Sequence, residues 1–108
     1  MGLGINVTET RELLDSGLPL RLIDVREPDE FAICKIEGAE LLSLSVFAEQ
    51  FSTKLPDTSE RILLYCHHGM RSMRAAQYLE NRGYSNVSSM DGGIDAWSLD
   101  IDAAVPRY

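Results

Sequence analysis

Ile62-Leu63-Leu64-Tyr65 offers no polar side chain to water on either side of an extended backbone. Such a run reads as a strand buried on both faces, which is the pattern of a parallel sheet covered by helices. It leads straight into Cys66-His67-His68-Gly69-Met70-Arg71-Ser72, and a helix follows at once: Ala75, Ala76 and Leu79 recur at helical spacing and Gly83 ends the run. Ser72 is the candidate N-cap. The rest of the chain repeats the alternation of short apolar runs and helical stretches. Thr8 is placed to cap a helix that turns Leu13 and Leu14 inward and stops at Gly17. Leu20 to Val25 is a strand, followed by a short helix with Pro28 in its first turn; Leu41 to Leu44 is a brief strand and Val46 to Phe51 an amphipathic helix. A strand near Val87 and a helix with Ile94 and Trp97, entered through Gly92-Gly93, complete the core, and Asp100 to Tyr108 reads as a surface tail. Alternation of this kind specifies an α/β fold built on a parallel sheet.

Residues 1–108 are expected to form a single domain, since domains run to about 100–200 residues. With 10 basic and 17 acidic residues the net charge is −7, which argues against nucleic acid or an anionic membrane surface as partner. No apolar run approaches membrane-spanning length, and the start lacks the charged-then-apolar order of a signal peptide. Two widely spaced cysteines, Cys34 and Cys66, read as thiols of a reducing cytoplasm rather than a disulfide framework.

Cys66 stands at the C-terminal end of the buried strand, where open parallel sheets bind their ligands. The helix just behind it offers orphan N–H groups and a positive dipole end that favour a thiolate, and Arg71 adds a full charge. Gly69 permits a left-handed turn, so that successive N–H groups can point at one centre. Placement alone leaves two readings equally open: an activated nucleophile, or a small buried hydrophobe.

Four segments in order carry a resemblance: Asp24-Val25-Arg26-Glu27-Pro28-Asp29-Glu30-Phe31, Ile36-Glu37-Gly38-Ala39, Cys66 to Ser72, and Asp91-Gly92-Gly93-Ile94-Asp95-Ala96-Trp97. Together they resemble the successive motifs of the rhodanese-like domain and span nearly the whole chain. The resemblance implies a five-stranded, mainly parallel sheet flanked by helices on both faces. It also implies that Cys66 takes a sulfane sulfur from a donor such as thiosulfate as a persulfide and hands it to a thiophilic acceptor. His67, His68, Gly69, Met70, Arg71 and Ser72 would then bind the substrate, with Asp24 and Arg26 as support of the loop. No cofactor is implied; the partners are a small sulfur donor and acceptor, with a sulfur-carrier protein as a further acceptor. The family commonly has Gly-His where this chain has Cys34-Lys35, and that variant, with the closing Val105-Pro106-Arg107-Tyr108, looks like domains working beside enzymes that activate sulfur carriers.

Two other readings compete. Cell-cycle phosphatases share the fold and a Cys-loop-Arg arrangement, but encircling a phosphate takes one residue more than His67-His68-Gly69-Met70 between Cys66 and Arg71. A non-catalytic binding or regulatory module would not need Cys66 and Arg71. A metal site is not expected: adjacent His67 and His68 should splay apart, and no second pair stands at zinc spacing. Asp29, Glu30, Glu37 and Glu40 read as surface solvation or a partner face, Trp97 as core, and Arg74 as either the rim of the site or a solvated helix face. Cys34 should neither pair with Cys66 nor resolve its persulfide. About six or seven helical residues at roughly 1.5 Å each carry it about 10 Å along the return path from the edge where Cys66 lies, beyond the roughly 7 Å between Cα atoms that a disulfide spans.

Overall fold

The computed structural model describes residues 2–108. Five strands, β1 (Gly4–Ile5), β2 (Arg21–Asp24), β3 (Glu40–Leu41), β4 (Ile62–Tyr65) and β5 (Val87–Met90), form one sheet in the order β1-β5-β4-β2-β3 with every neighbouring pair parallel. Five helices connect them: α1 (Val7–Asp15), α2 (Pro28–Ile33), α3 (Leu44–Lys54), α4 (Met70–Glu80) and α5 (Gly93–Asp100). None is long and apolar enough to cross a membrane.

All four residues of β4 are buried, and their alternation divides them between two cores. Ile62 and Leu64 pack with Ile23, Val25 and Val87 beneath α3 and α4, where Phe47, Ala75, Ala76 and Leu79 meet them. Leu63 and Tyr65 pack on the opposite side with Leu22, Met90, Val7 of α1 and Ile94 and Trp97 of α5. Each fully buried Leu contributes about 1.5–3 kcal/mol, so the central strand fixes the sheet that positions the loop after it. Register then brings two further functional candidates to the same edge. Asp24 lies opposite Tyr65, and the Val25 N–H donates to the Tyr65 carbonyl, so Arg26 and Cys66 leave the sheet side by side.

Several local expectations need correction. Asn6, not Thr8, caps α1: its Oδ1 accepts from the Glu9 N–H at 2.8 Å while Glu9 Oε1 accepts from the Asn6 N–H at 3.0 Å. This reciprocal box satisfies two orphan donors, which Thr8 cannot do from inside the first turn. Val7 and Thr10 are the buried residues of α1, whereas Leu13 and Leu14 are only partly covered. Strand β1 carries no apolar run and was not read from the residues; it forms because Ser89 and Asp91 donate to the carbonyls of Leu3 and Ile5. β3 occupies Glu40–Leu41 rather than Leu41 to Leu44, because Leu44 already starts α3, which runs on to Lys54, past Phe51. The segment read as a surface tail is largely exposed but anchored: Asp100 still belongs to α5, Val105 packs against the second core, and the Ser98 hydroxyl donates to its carbonyl at 2.6 Å.

Candidate active site

Cys66 follows β4 and is 1% exposed. Its Sγ accepts from the Gly69 N–H at 3.1 Å and from the Ser72 N–H at 3.4 Å, and the thiol lies 3.5 Å from Ser72 Oγ. Two backbone donors thus converge on the sulfur. Gly69 makes this possible: at φ +111° it occupies the left-handed region and is itself the N-cap of α4. Ser72 therefore stands inside the helix rather than capping it. Its buried hydroxyl donates to the Gly69 carbonyl and shares a 2.8 Å bond with Ser89 Oγ of β5, bracing the loop from below.

The opposite side of the loop is held by α5. Its first N–H groups, those of Ile94 and Asp95, donate to the Cys66 and His67 carbonyls at 2.8 and 3.1 Å. The helix can come this close only because residue 93 is glycine: a Cβ there would overlap the His67 and Cys66 carbonyls, and φ is +60°. The turn expected at Gly92-Gly93 therefore also clamps the loop.

Asp24 and Arg26 form a fully buried ion pair beneath the site. Arg26 Nη2 donates to Asp24 Oδ2 at 2.6 Å, and Nε and the backbone N–H also reach the carboxylate. Burial penalises the guanidinium, but bonds to Asp24 and Tyr108 outweigh it and hold Arg26 protonated, above its usual range. The same guanidinium bonds the carbonyls of Cys34 and Glu30, tying α2 to the sheet edge.

Arg71, Arg74, His67, His68, Met70 and Cys66 line a cavity of about 320 Å³. Met70 is 73% exposed at the rim and Arg74 is exposed on α4. Arg71 is not an isolated charge. It makes a bidentate pair with Glu30, Nη1–Oε1 2.6 Å and Nη2–Oε2 2.9 Å, which raises the guanidinium above its usual range and brings Glu30 down to about 2. Glu30 is thus the partner of a site residue, where the sequence reading gave it only surface solvation or a partner face. Glu40 is likewise paired, with Arg21 at 2.6 Å, far from the loop, while Asp29 and Glu37 are exposed.

His67 and His68 do not splay apart. Their rings stack at 3.9 Å, and the other face of His67 lies on Tyr108 at 3.9 Å and 8°. Burial and then the neighbouring His68 hold the His67 imidazole below its usual range, and its Nε2 has no hydrogen-bond partner among the described residues. His68 is exposed, with Nε2 3.9 Å from Asp95 Oδ2. One donor atom from each of His67, His68 and Asp95 falls within 4.8 Å of the others, a cluster that sequence spacing does not reveal because Asp95 comes from α5. Asp95 is engaged by Arg107 Nε at 2.9 Å.

Cys34 ends α2, buried in the second core with Leu22 and Tyr65, whereas Cys66 belongs to the first. Both thiols are free. Sequence reasoning missed Glu30 and Tyr108; for Tyr108 the only available signal was the resemblance of the closing four residues.

A model of the rhodanese-like domain matches residues 6–100. The chain is 36% identical to the thiosulfate sulfurtransferase GlpE of Pseudoalteromonas translucida, covering 95% of each chain. It is 37% identical to the probable adenylyltransferase/sulfurtransferase MoeZ of Mycobacterium tuberculosis over 99% of its own length. It spans only 27% of that protein, and 30% of a rhodanese-like/PpiC domain-containing protein from the chloroplast of Arabidopsis thaliana. Among solved structures, the human single-domain sulfurtransferase superposes with a TM-score of 0.81 at 26% identity, over 93% of this chain and 98% of the human one.

Proposed function

Because the chain belongs to the rhodanese-like domain family, we propose that it is a sulfurtransferase that carries a sulfane sulfur on Cys66. The observation that carries this reading is the convergence of the Gly69 and Ser72 N–H groups on Cys66 Sγ at the base of a cavity walled by Arg71. Such donors stabilise negative charge on sulfur before and after transfer and need no reorganisation to do so.

The Cys66 thiolate attacks the outer sulfur of thiosulfate. A bond forms between Sγ and that sulfur, the donor S–S bond breaks, and sulfite departs with the bonding pair. Sulfite is a stable anion, so no general acid is required. An acceptor nucleophile such as cyanide then attacks the terminal persulfide sulfur, and the Sγ–S pair returns to Cys66 as thiolate. His67, His68 and Met70 border the space for donor and acceptor, Arg71 faces the anionic donor, and the Asp24–Arg26 pair supports the site from behind, through the bonds of Arg26 to α2 and to Tyr108. The Cys34-Lys35 variant and the closing Val105-Pro106-Arg107-Tyr108, which resemble domains working beside enzymes that activate sulfur carriers, favour a sulfur-carrier protein as a physiological acceptor, and two unpaired thiols fit a reducing cytoplasm. The loop, one residue short of a phosphate-encircling ring, favours sulfur over phosphate chemistry.

A thiosulfate:cyanide assay tests the proposal. Wild type should form thiocyanate, and Cys66→Ser should lose at least about a thousandfold in rate, as for removal of a covalent nucleophile. Undiminished turnover in Cys66→Ser would overturn it.

A further inference from the structure

Arg71 and Glu30 sit at the mouth of the cavity, with side chains 33% and 17% exposed. An ion pair of two long side chains at a surface is a weak and mobile contact unless something fixes its geometry. Here something does. The Tyr108 hydroxyl donates to Glu30 Oε2 at 2.9 Å and accepts from Arg26 Nη1 at 2.8 Å. Arg26 is itself immobilised by Asp24, so a continuous line of polar contacts runs from the fully buried Asp24 carboxylate through Arg26, Tyr108 and Glu30 to Arg71. Burial pushes the phenol up to about 12, which keeps the proton that Glu30 accepts.

The ring of Tyr108 has a second task. It lies flat on His67, whose carbonyl belongs to the loop held by α5, and the Arg26 guanidinium sits 5.6 Å from the ring centre. Residues 105–108 are delivered to this place by α5 as well: the Ser98 hydroxyl donates to the Val105 carbonyl, and the Asp95 carboxylate accepts from Arg107 Nε. One side chain from the end of the described chain thus touches the loop after β4, the pair at the mouth and the ion pair beneath.

We propose that Tyr108 is a positioning residue of the Cys66 site: it holds Glu30 against Arg71 and His67 against the loop, and so keeps the Arg71 guanidinium aimed at an anionic donor. The inference rests on the sulfur-transfer reading for its link to turnover, but its geometric content does not. The rotamers of Arg71 and Glu30 are restricted before the donor arrives, so less freedom is lost on binding. Tyr108 itself touches no reacting atom.

The test compares Tyr108→Phe and Tyr108→Ala with wild type in two ways. In the thiosulfate:cyanide assay, Tyr108→Phe should raise KM for thiosulfate about threefold with kcat nearly unchanged, the scale of one lost hydrogen bond. Tyr108→Ala should raise it further. Separately, the rate of Cys66 alkylation by anionic iodoacetate relative to neutral iodoacetamide, followed by peptide mass mapping, should fall in both variants, with Arg71→Ala setting the lower limit. The second readout requires no sulfur transfer: inactive wild type with a shifted alkylation ratio would remove the sulfur-transfer reading and leave the positioning role standing. A KM and an alkylation ratio unchanged in both variants, even with a lowered Tm, would reduce Tyr108 to a structural contact and overturn the proposal.

Discussion

Cys66 and Cys34 are both buried and free, yet their surroundings are opposite. Cys66 precedes α4, so backbone N–H groups face its sulfur. Cys34 follows α2, at the end where a helix exposes carbonyls, and its own carbonyl is taken up by Arg26. Among the described residues its sulfur meets one long polar contact, 3.9 Å to Arg26 Nη1. Two buried thiols therefore differ in what reaches them: two backbone N–H groups at the start of a helix converge on one, while the other, at the end of a helix, meets a single distant guanidinium that is already paired with Asp24. The sheet separates them as well, since each lies in a different core.

The contrast can be broken most severely from below. Asp24→Asn leaves the fully buried Arg26 guanidinium without its counter-charge, and loss of one partner of a buried pair costs about 3–5 kcal/mol. Urea unfolding should register that loss, and the bonds from Arg26 that hold Cys34 and Glu30 should loosen together. A variant as stable as wild type would mean that the pair does not hold α2, and Cys34 with it, to the sheet edge.

A smaller effect sharpens the Cys66 side through pH. Hydrogen bonds from Arg71, then from neighbouring groups, bring Glu30 from 4.5 to about 2. A carboxylate depressed by folding contributes stability above its unfolded value, and that contribution fades as pH falls through the folded one. Wild type should therefore exceed Glu30→Gln in Tm at neutral pH, with the gap narrowing between pH 4.5 and 2. A gap independent of pH over that window would show that the Arg71 pair is not its source.

Smallest of all should be the response to Cys34→Ala. Turnover should stay within about twofold, because the substitution removes only the long sulfur contact to Arg26 and leaves the bond from Arg26 to the backbone carbonyl of residue 34, and stability should fall by about 1 kcal/mol for the lost sulfur volume. Steady-state kinetics and thermal unfolding check both. A large loss of turnover would give Cys34 a role that its place at the end of α2 does not provide.

Much of the scaffold was legible because its signals are local. The apolar β4 run, Pro28 opening α2, and glycines with positive φ at 17, 69, 83, 92 and 93 all act within a few residues of themselves. Where local reading erred, a neighbouring residue suited the position better: Asn6 with Glu9 closed the cap expected of Thr8, and Gly69, at positive φ, started α4 before Ser72. Strand β1 escaped because its two residues gain their identity from pairing with β5, not from their own pattern.

By itself, then, the sequence determined the alternating elements, the cysteine loop at the end of the central strand, and the family to which both belong. Periodicity and turn chemistry are properties of contiguous residues, and they survive without knowledge of the fold. Only the tertiary structure decided how the site is charged and held. Glu30 meets Arg71 across 41 positions, Tyr108 meets Glu30 across 78 and Arg26 across 82. An acidic residue on a short helix and a tyrosine in a closing segment look like solvated surface in the sequence, because their partners come near only after the parallel sheet sets β2 beside β4 and α5 carries the chain back over the loop.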